Sequence, residues 1–244
     1  MGRQGRALAA LLIAGLALAC FTGGGAVPAG GGAEIGAAPP AAAEEKYIAL
    51  TFDDGPRQGT TDRLLDGLGE RGAHATFFLI GEELEGREAL VRRMAAEGHQ
   101  IGNHTWSHVR LSRGTDLAAE VGRTEAALSS LLGGGGYWIR PPYGLVDETV
   151  ERQVDVPMVK WSVDPRDWES RDTGKAVKAI LSAAEPNAIV LLHDIYPTSV
   201  DAALQVVDTL QAEGYRFVTV EELLAVNGVT AEAGTLYRTG RGNA

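Results

Sequence analysis

Two adjacent carboxylates, Asp53 and Asp54, follow an apolar and β-branched run of strand type, residues 47–52 (YIALTF), and precede a Gly-Pro pair that ends the strand. Side chains in an extended segment point to opposite sides, so the two acids need not share one role. Neighbouring carboxylates repel each other unless a cation or a proton relieves the repulsion. The pair therefore indicates a metal or proton-transfer site, with an ordinary turn as the alternative.

Two histidines, His104 and His108, stand four residues apart in the segment HTWSH. In a helical turn this spacing places both imidazoles on one face, where their nitrogens can converge on one cation. One carboxylate would complete a His2Asp set, the ligand type of catalytic zinc or a similar divalent ion. The single cysteine, Cys20, excludes a site built from several thiolates. A chance spacing or a capping histidine is the alternative.

The chemistry expected of such a site is hydrolysis, because a divalent ion polarises a carbonyl and lowers the pKa of bound water to about 7. With Asp54 as a ligand, Asp53 is the candidate general base, and Arg140 could hold it ionised and oriented. His193 is the candidate acid, and a partner carboxylate such as Asp167 would raise its pKa. Base and acid would then each have a charged partner of their own.

From residue 46 onward, short apolar runs alternate with amphipathic stretches, which predicts parallel strands and crossover helices in a barrel or an open sheet. Active sites in such α/β proteins form at the carboxyl ends of the strands. Strands are predicted over residues 47–52, 74–80, 100–102, 137–139, 157–163, 188–192 and 215–218. Helices are predicted from residue 60 or 61 and over residues 88–97, 116–132, 147–153, 173–184, 200–213 and 220–226. Five of these strands are followed by titratable groups, namely Asp53 and Asp54, His104 and His108, Arg140, Asp164 and Asp167, and His193 and Asp194.

Five segments resemble, in order and spacing, the motifs of the polysaccharide deacetylase family, the carbohydrate esterases of family four. They are TFDDGP (51–56), HTWSH (104–108), RPPYG (140–144), DPRDW (164–168) and LLHD (191–194), and none lacks a functional residue. The family includes metal-dependent deacetylases of chitin, chitooligosaccharides and peptidoglycan. The resemblance covers residues 46 to 225 and implies a distorted, incompletely closed (β/α) barrel of seven or eight parallel strands.

The resemblance also implies roles for individual residues. Asp54, His104 and His108 would bind the metal, usually zinc, with cobalt or another divalent ion left open. Asp53 would be the base and His193 the acid. A metal-bound water would attack the acetyl carbonyl.

Further motif residues would support these groups. Arg140 would orient the base. Asp167 would be the partner of the acid, and it is favoured over Asp164 because it immediately precedes a tryptophan, as in the family motif. The backbone N–H of Tyr143 would help to stabilise the oxyanion.

Trp168 and Leu191 would line a small pocket for the acetyl methyl group, although their types alone fit an ordinary barrel core. The segment after the fifth motif looks most like peptidoglycan deacetylases. The leading hypothesis is removal of acetyl from the nitrogen of N-acetylglucosamine in peptidoglycan or chitin-type polymers. The alternatives are an O-deacetylase, for example on xylan, and an inactive sugar-binding lipoprotein.

The first residues have the pattern of an export signal. Arg3 and Arg6 precede an uncharged apolar run, residues 7–19, which is too short to span a bilayer. An A-x-A cleavage site at residues 17–19 would leave Cys20 first in the mature chain, where it could carry a lipid. The sequence therefore predicts a secreted or cell-surface protein, with lipid anchoring as one of two outcomes.

The predicted organisation is a signal (1–19), a Gly/Ala/Pro-rich linker (20–45), a catalytic domain (46–227) and a loose tail (228–244). The chain has 22 basic and 32 acidic residues, and its formal charge of −10 argues against binding to nucleic acid or to an anionic membrane surface. An acetylated amino-sugar polymer is the expected partner. Membrane contact is expected only through a lipid on Cys20.

Overall fold

The computed structural model describes residues 45–242. The predicted export signal, Cys20 and the linker up to residue 44 lie outside these residues. Within them, none of the helices combines the length and the apolar character needed to cross a bilayer.

Strands and helices alternate along the described chain, as the sequence predicts. The strands are β1 (Lys46–Asp53), β2 (Thr76–Leu79), β3 (Gln100–Asn103), β4 (Met158–Val159), β5 (Ile189–His193), β6 (Tyr215–Phe217) and β7 (Leu236–Tyr237). The helices are α1 (Thr61–Glu70), α2 (Glu88–Ala96), α3 (Arg123–Leu132), α4 (Glu148–Glu151), α5 (Asp167–Ser170), α6 (Thr173–Ala183), α7 (Pro197–Ala212) and α8 (Val220–Val226). A π-helical turn, Ala118–Gly122, leads into α3.

The sheet is organised around β1. Its strand order is β3-β2-β1-β5, with β6 pairing with the first residues of β1, and all of these pairs are parallel. The last six residues of β1 are all buried. Burial of both faces explains why this strand reads as a continuous apolar run rather than as an alternation.

Single bridges continue the sheet beyond its strands. Ile139 bridges to both Asn103 and Met158, and Val163 bridges to Val190. The predicted strand at residues 137–139 is thus reduced to the bridging residue Ile139, and the one at residues 157–163 to the two-residue β4 and the bridge at Val163. Prolines at positions 141, 142 and 157 flank these segments and cannot donate a backbone hydrogen bond, which limits the ladder. The prediction of an incompletely closed barrel of parallel strands is confirmed.

The strand register brings the carboxyl ends of neighbouring strands to one level. Asp53, the last residue of β1, is paired with Phe78 of β2 and with His193 at the end of β5. On the far side, Leu79 is paired with Asn103, the last residue of β3. The residues that follow these strands therefore share one rim of the barrel.

Amphipathic helices cover the outside of the sheet. In α7, seven residues are buried and pack toward the strands, namely Ser199, Val200, Ala202, Ala203, Val206, Val207 and Leu210. Phe52 and Phe77, from adjacent strands, stack with ring centroids 5.2 Å apart in the core beneath. This burial supplies the main stabilisation of the scaffold that holds the rim.

The segment after residue 227 differs from the predicted loose tail, because it contributes β7. Met158 and Val159 of β4 pair in parallel with Leu236 and Tyr237. Tyr237 is buried, and its hydroxyl accepts a hydrogen bond from the N–H of Glu232. The backbone N–H of Gly240 also donates to the carbonyl of Asn187. A buried aromatic side chain and these hydrogen bonds tie the segment to the domain.

Candidate active site

The two adjacent carboxylates at the end of β1 lie on the same side of the rim. Asp54 has a left-handed backbone with φ of 71°, a conformation that aspartate tolerates better than most residues. This conformation breaks the alternation of the strand, so both carboxylates approach His104. Its Nε2 lies 3.6 Å from Asp53 Oδ2 and 3.5 Å from Asp54 Oδ1.

The segment that carries both histidines is a loop, so the predicted helical turn is wrong. The N–H of His104 still donates to Leu79 and prolongs the strand ladder, and Asn103 Oδ1 holds the N–H of Thr105. Thr105 and His108 then adopt left-handed backbones with φ of 68° and 58°. These two reversals bring the imidazole rings of His104 and His108 to a centroid distance of 4.9 Å without a helix.

Asp54, His104 and His108 form a donor set suited to one cation. One ligand atom from each lies within 4.8 Å of the others, and both histidine Nε2 atoms are 3.5 Å from Asp54 Oδ1. That oxygen is buried and has no hydrogen-bond partner within residues 45–242. Two imidazoles and one carboxylate are a ligand set typical of zinc and similar divalent ions.

The histidines of this set are prepared to act as neutral ligands. His104 Nδ1 lies 2.7 Å from the carbonyl oxygen of Arg140, and donating there leaves Nε2 as the atom with a lone pair. Burial, followed by the proximity of His104, lowers the pKa of His108. A neutral imidazole is the form that binds metal, so the residues fit a divalent ion.

Arg140 fixes the second carboxylate, Asp53, from behind. Both side chains are buried, and Arg140 Nη1 donates to Asp53 Oδ1 at 2.8 Å and to Thr51 Oγ1 at 2.7 Å. Nε and Nη2 donate to the carbonyls of Val159 and Lys160, respectively. Burial lowers the pKa of Arg140, and the charge of Asp53 opposes this effect. The ion pair thus holds Asp53 in one orientation.

His193 and Asp167 form a second buried pair. Asp167 Oδ1 lies 3.0 Å from His193 Nδ1, while its Oδ2 accepts the backbone N–H of the same histidine at 2.9 Å. Burial lowers the pKa of His193, but the hydrogen bond and charge of Asp167 outweigh it and raise the pKa to about 9. Asp164, the alternative partner considered from the sequence, instead accepts the N–H of Arg166.

The candidate residues surround one cavity of ≈360 Å³. Tyr143 and Trp168 are exposed at its edge, whereas Leu191 is buried in its wall. Arg140 and Asp167 lie behind the residues that face the space. The lining consists of Asp53, Asp54, His104, His108, Tyr143, Trp161, Asp164, Trp168, Leu191, His193 and Tyr196. The structure therefore brings every predicted side chain either into this cavity or into contact with a residue that lines it.

A larger depression of ≈520 Å³ lies elsewhere, between the glycine-rich segment after α3 and the start of α8. His99 is part of its lining, and this buried histidine accepts the N–H of Ala75 through Nδ1. Within residues 45–242, Asp54, His104 and His108 are the one cluster of metal-ligating side chains, and they do not line this depression. The smaller cavity is therefore the candidate active site.

Several residues at the site have no counterpart in the sequence prediction. Thr51 accepts a hydrogen bond from Arg140, and Ser199 donates one to Asp167. Trp161 and Tyr196 line the cavity. Thr51 has a sequence signal, because it stands two residues before Asp53 and so lies on the same face of β1. For Ser199, the only sequence signal of a role at the site is a hydroxyl in the first turn of an apolar helix.

Comparison with known proteins supports the family assignment. The sequence profile of the polysaccharide deacetylase family matches residues 41–158. The chain is 38% identical over 186 residues to the peptidoglycan-N-acetylglucosamine deacetylase PgdA of Listeria monocytogenes, a match over 75% of this chain and 40% of that protein. A peptidoglycan-N-acetylglucosamine deacetylase of Bacillus cereus is 36% identical over 197 residues, covering 74% of this chain and 89% of the relative.

A solved structure shows the same fold. The family 4 acetyl xylan esterase of Clostridium thermocellum, in complex with a cobalt ion, has a TM-score of 0.75 and 31% identity, covering 80% of this chain and 98% of that one. The chain spans about two fifths of the length of the Listeria relative. The Bacillus relative is matched over most of its length, and its identity is well above the level at which only the fold is shared. The chain belongs to the polysaccharide deacetylase family.

Proposed function

We propose that this protein is a metal-dependent hydrolase that removes acetyl groups from the nitrogen of N-acetylglucosamine residues in peptidoglycan or a chitin-type polymer. The observation that carries the proposal is one cavity that joins three functions. It holds a donor set for a divalent ion, a carboxylate oriented by a buried arginine, and a histidine kept protonated by a buried aspartate. Metal-assisted hydrolysis of an amide can use the three as the site of a Lewis acid, the general base and the general acid.

Asp54, His104 and His108 would hold the ion. When bound, a divalent metal supplies a Lewis acid for the acetyl carbonyl and lowers the pKa of water. The nitrogen and oxygen donors suit zinc, and the cobalt ion of the esterase from Clostridium thermocellum supports a divalent cation of this kind.

Asp53 is the proposed general base. Arg140 occupies its Oδ1, whereas Oδ2 lies on the side of His104. The carboxylate is thus presented to the cavity with one oxygen available to accept the proton of the attacking water. Arg140 is buried and is itself held by Val159, Thr51 and Lys160, so it keeps the carboxylate of Asp53 in one orientation.

His193 is the proposed general acid. Its Nδ1 is engaged by Asp167, so Nε2 is the atom that donates a proton to the departing sugar nitrogen. With a pKa of about 9, the imidazole is protonated at neutral pH. The Tyr143 backbone N–H would help to stabilise the oxyanion, and Trp168 and Leu191 would contact the acetyl methyl group.

The peptidoglycan deacetylases among the relatives support an amino-sugar polymer as the substrate. Their substrate lies in the cell wall, and the export pattern of residues 1–19 agrees with this location. We place the mature protein outside the cell or at its surface, with a lipid on Cys20 as the means of retention. The catalytic domain extends from residue 46 through β7.

The acetyl xylan esterase neighbour makes an O-deacetylase the second candidate. The test is acetate release from N-acetylchitohexaose, peptidoglycan and acetylated xylan by the zinc-loaded protein and by its Asp53→Asn variant. We expect release from an amino-sugar polymer and a loss of about a thousandfold in the variant, with metal content unchanged.

Release from xylan alone would establish the second candidate. Equal inactivity of both proteins on all three polymers would contradict hydrolysis and favour a sugar-binding protein.

A further inference from the structure

The carboxylate of Asp167 is held from more than one element. Its Oδ1 contacts His193 Nδ1, and its Oδ2 accepts the backbone N–H of His193 and also the hydroxyl of Ser199 at 2.5 Å. Asp167 opens α5, His193 closes β5, and Ser199 lies in the first turn of α7. Of the three hydrogen bonds, only the one from Ser199 comes from outside the pair of Asp167 and His193.

The hydroxyl of Ser199 is directed toward Asp167 by its surroundings. Ser199 is fully buried. A serine within a helix commonly donates to the carbonyl four residues earlier, but this hydroxyl donates to the carboxylate instead. The turn that carries it is fixed from the neighbouring helix, because Thr173 of α6 donates to the carbonyl of Thr198 at 3.0 Å. A buried hydroxyl and a fixed backbone give this hydrogen bond one geometry.

We propose that Ser199 is a positioning residue for His193, acting through Asp167. Without Ser199, both oxygens of Asp167 would be held by His193 alone, so the carboxylate and the imidazole could shift together. The bond from Ser199 ties Oδ2 to α7 and thereby fixes the carboxylate that directs His193 Nδ1. The imidazole then keeps one orientation, with Nε2 toward the cavity. This inference rests on the proposed role of His193 as the acid.

The test compares the zinc-loaded wild-type protein with Ser199→Ala. We expect kcat on the amino-sugar polymer to fall about 10-fold with KM within about twofold, because a hydrogen bond to a charged group is lost while substrate contacts remain. The low-field proton resonance of His193 Nδ1–H, identified by its absence in His193→Gln, should also weaken through faster exchange with solvent.

The control variant is Thr124→Val. Thr124 is likewise buried, but its hydroxyl donates to Glu120 within its own helical segment. We expect this variant to keep the kcat and the resonance of the wild type. Equal losses in both variants, or an unchanged kcat and resonance in Ser199→Ala, would overturn the proposal. The resonance tests the positioning role even if none of the polymers is hydrolysed. Failure of this inference can therefore be distinguished from failure of the proposed function.

Discussion

The base and the acid proposed for this site differ mainly in the charge placed behind each side chain. Asp53 has a buried guanidinium 2.8 Å away, and His193 has a buried carboxylate 3.0 Å away. The guanidinium orients Asp53, and the carboxylate of Asp167 favours the protonated form of His193. A carboxylate that is ionised can accept a proton, and an imidazole that is protonated can donate one. The buried guanidinium and the buried carboxylate can therefore set these two roles without contacting the substrate.

The pKa of His193 gives a direct test of this pairing. The folded-state value of about 9 lies above the ordinary 6.5, so protonated His193 stabilises the fold fully below pH 6.5, and this contribution is lost as the pH rises through 9. We expect an NMR titration of the metal-free protein to show a His193 midpoint near 9. Asp167→Asn should lower it by more than one unit, because the attracting charge is removed.

His99 provides an internal reference in the same spectra. Burial lowers its pKa to about 4, and its hydrogen bond is to Ala75 rather than to a residue of the site. Its titration should be the same in the wild type and in Asp167→Asn. An identical His193 midpoint in both proteins would show that Asp167 does not set the protonation of this imidazole.

At the level of single residues, the sequence identifies the charged side chains of the site and misses the uncharged side chains that contact them. Asp53, His193 and Arg140 are recognisable because titratable groups at strand ends are chemically distinctive. Ser199 is not, since its role depends on the approach of α7 to α5, which residue types do not specify. The same holds for Trp161 and Tyr196, whose place in the cavity wall follows from loop geometry.

The connection between β1 and α1 is the element on which the Asp54 ligand depends. Asp194, which follows β5, lies beneath it as a fully buried carboxyl that accepts a hydrogen bond from Thr61. Burial raises the pKa of Asp194 to about 7. A Cβ on Gly55 would lie 2.6 Å from Asp194 Oδ1, closer than side-chain atoms approach in proteins. A glycine is therefore required where the connection passes over this carboxyl.

Gly55→Ala should displace the backbone at residue 55 and with it the neighbouring ligand Asp54. We expect zinc binding to weaken about 10-fold, as it does when the support of a metal ligand is lost. A competition titration with a chelator measures the affinity. Gly69→Ala is the matched control, because Gly69 is an exposed position of α1 with no atom near its Cβ. It should keep the wild-type affinity and add about 0.5–1 kcal/mol of stability. Equal zinc affinity in all three proteins would show that this packing does not support the ligand.

The pairing of β4 and β7 predicts that the end of the chain contributes to stability. Tyr237 is 3% exposed, and its hydroxyl holds the N–H of Glu232. Tyr237→Ala should lower the free energy of unfolding by about 3 kcal/mol, as for other large buried side chains. The exposed neighbour Arg238→Ala should change it by less than about 0.5 kcal/mol. Equal unfolding curves for the wild type and Tyr237→Ala would mean that β7 does not stabilise the domain.

The elements that could be predicted are those with a strong local pattern. The predicted helix at residues 220–226 coincides with α8, and the strands β1, β2, β3, β5 and β6 lie at their predicted positions. The two-residue β7 is too short to show a period and forms only through its pairing with β4. The loop that carries His104 and His108 is not predictable in this way, because their spacing alone does not reveal the left-handed residues at positions 105 and 108.

At the scale of the whole molecule, the sequence establishes the family and the barrel, while the substrate depends on the surface around the cavity. The five motifs converge on one rim because parallel strands with crossover helices bring their carboxyl ends to the same side. We expect sugar choice to depend on the exposed edge of the cavity, where Tyr143 and Trp168 lie. Motif spacing carries no information about that edge, so only polymer assays distinguish peptidoglycan, chitin-type and xylan substrates.

The central claim is that Asp54, His104 and His108 share one divalent ion. The most direct measurement is the anomalous diffraction of crystals grown with zinc, compared with crystals of His104→Ala grown in the same way. We expect one strong peak about 2.0–2.2 Å from Nε2 of each histidine and from an Asp54 carboxylate oxygen, and no such peak in the variant. A wild-type crystal saturated with zinc but lacking density between these three residues, or an equal peak in the variant, would contradict the account.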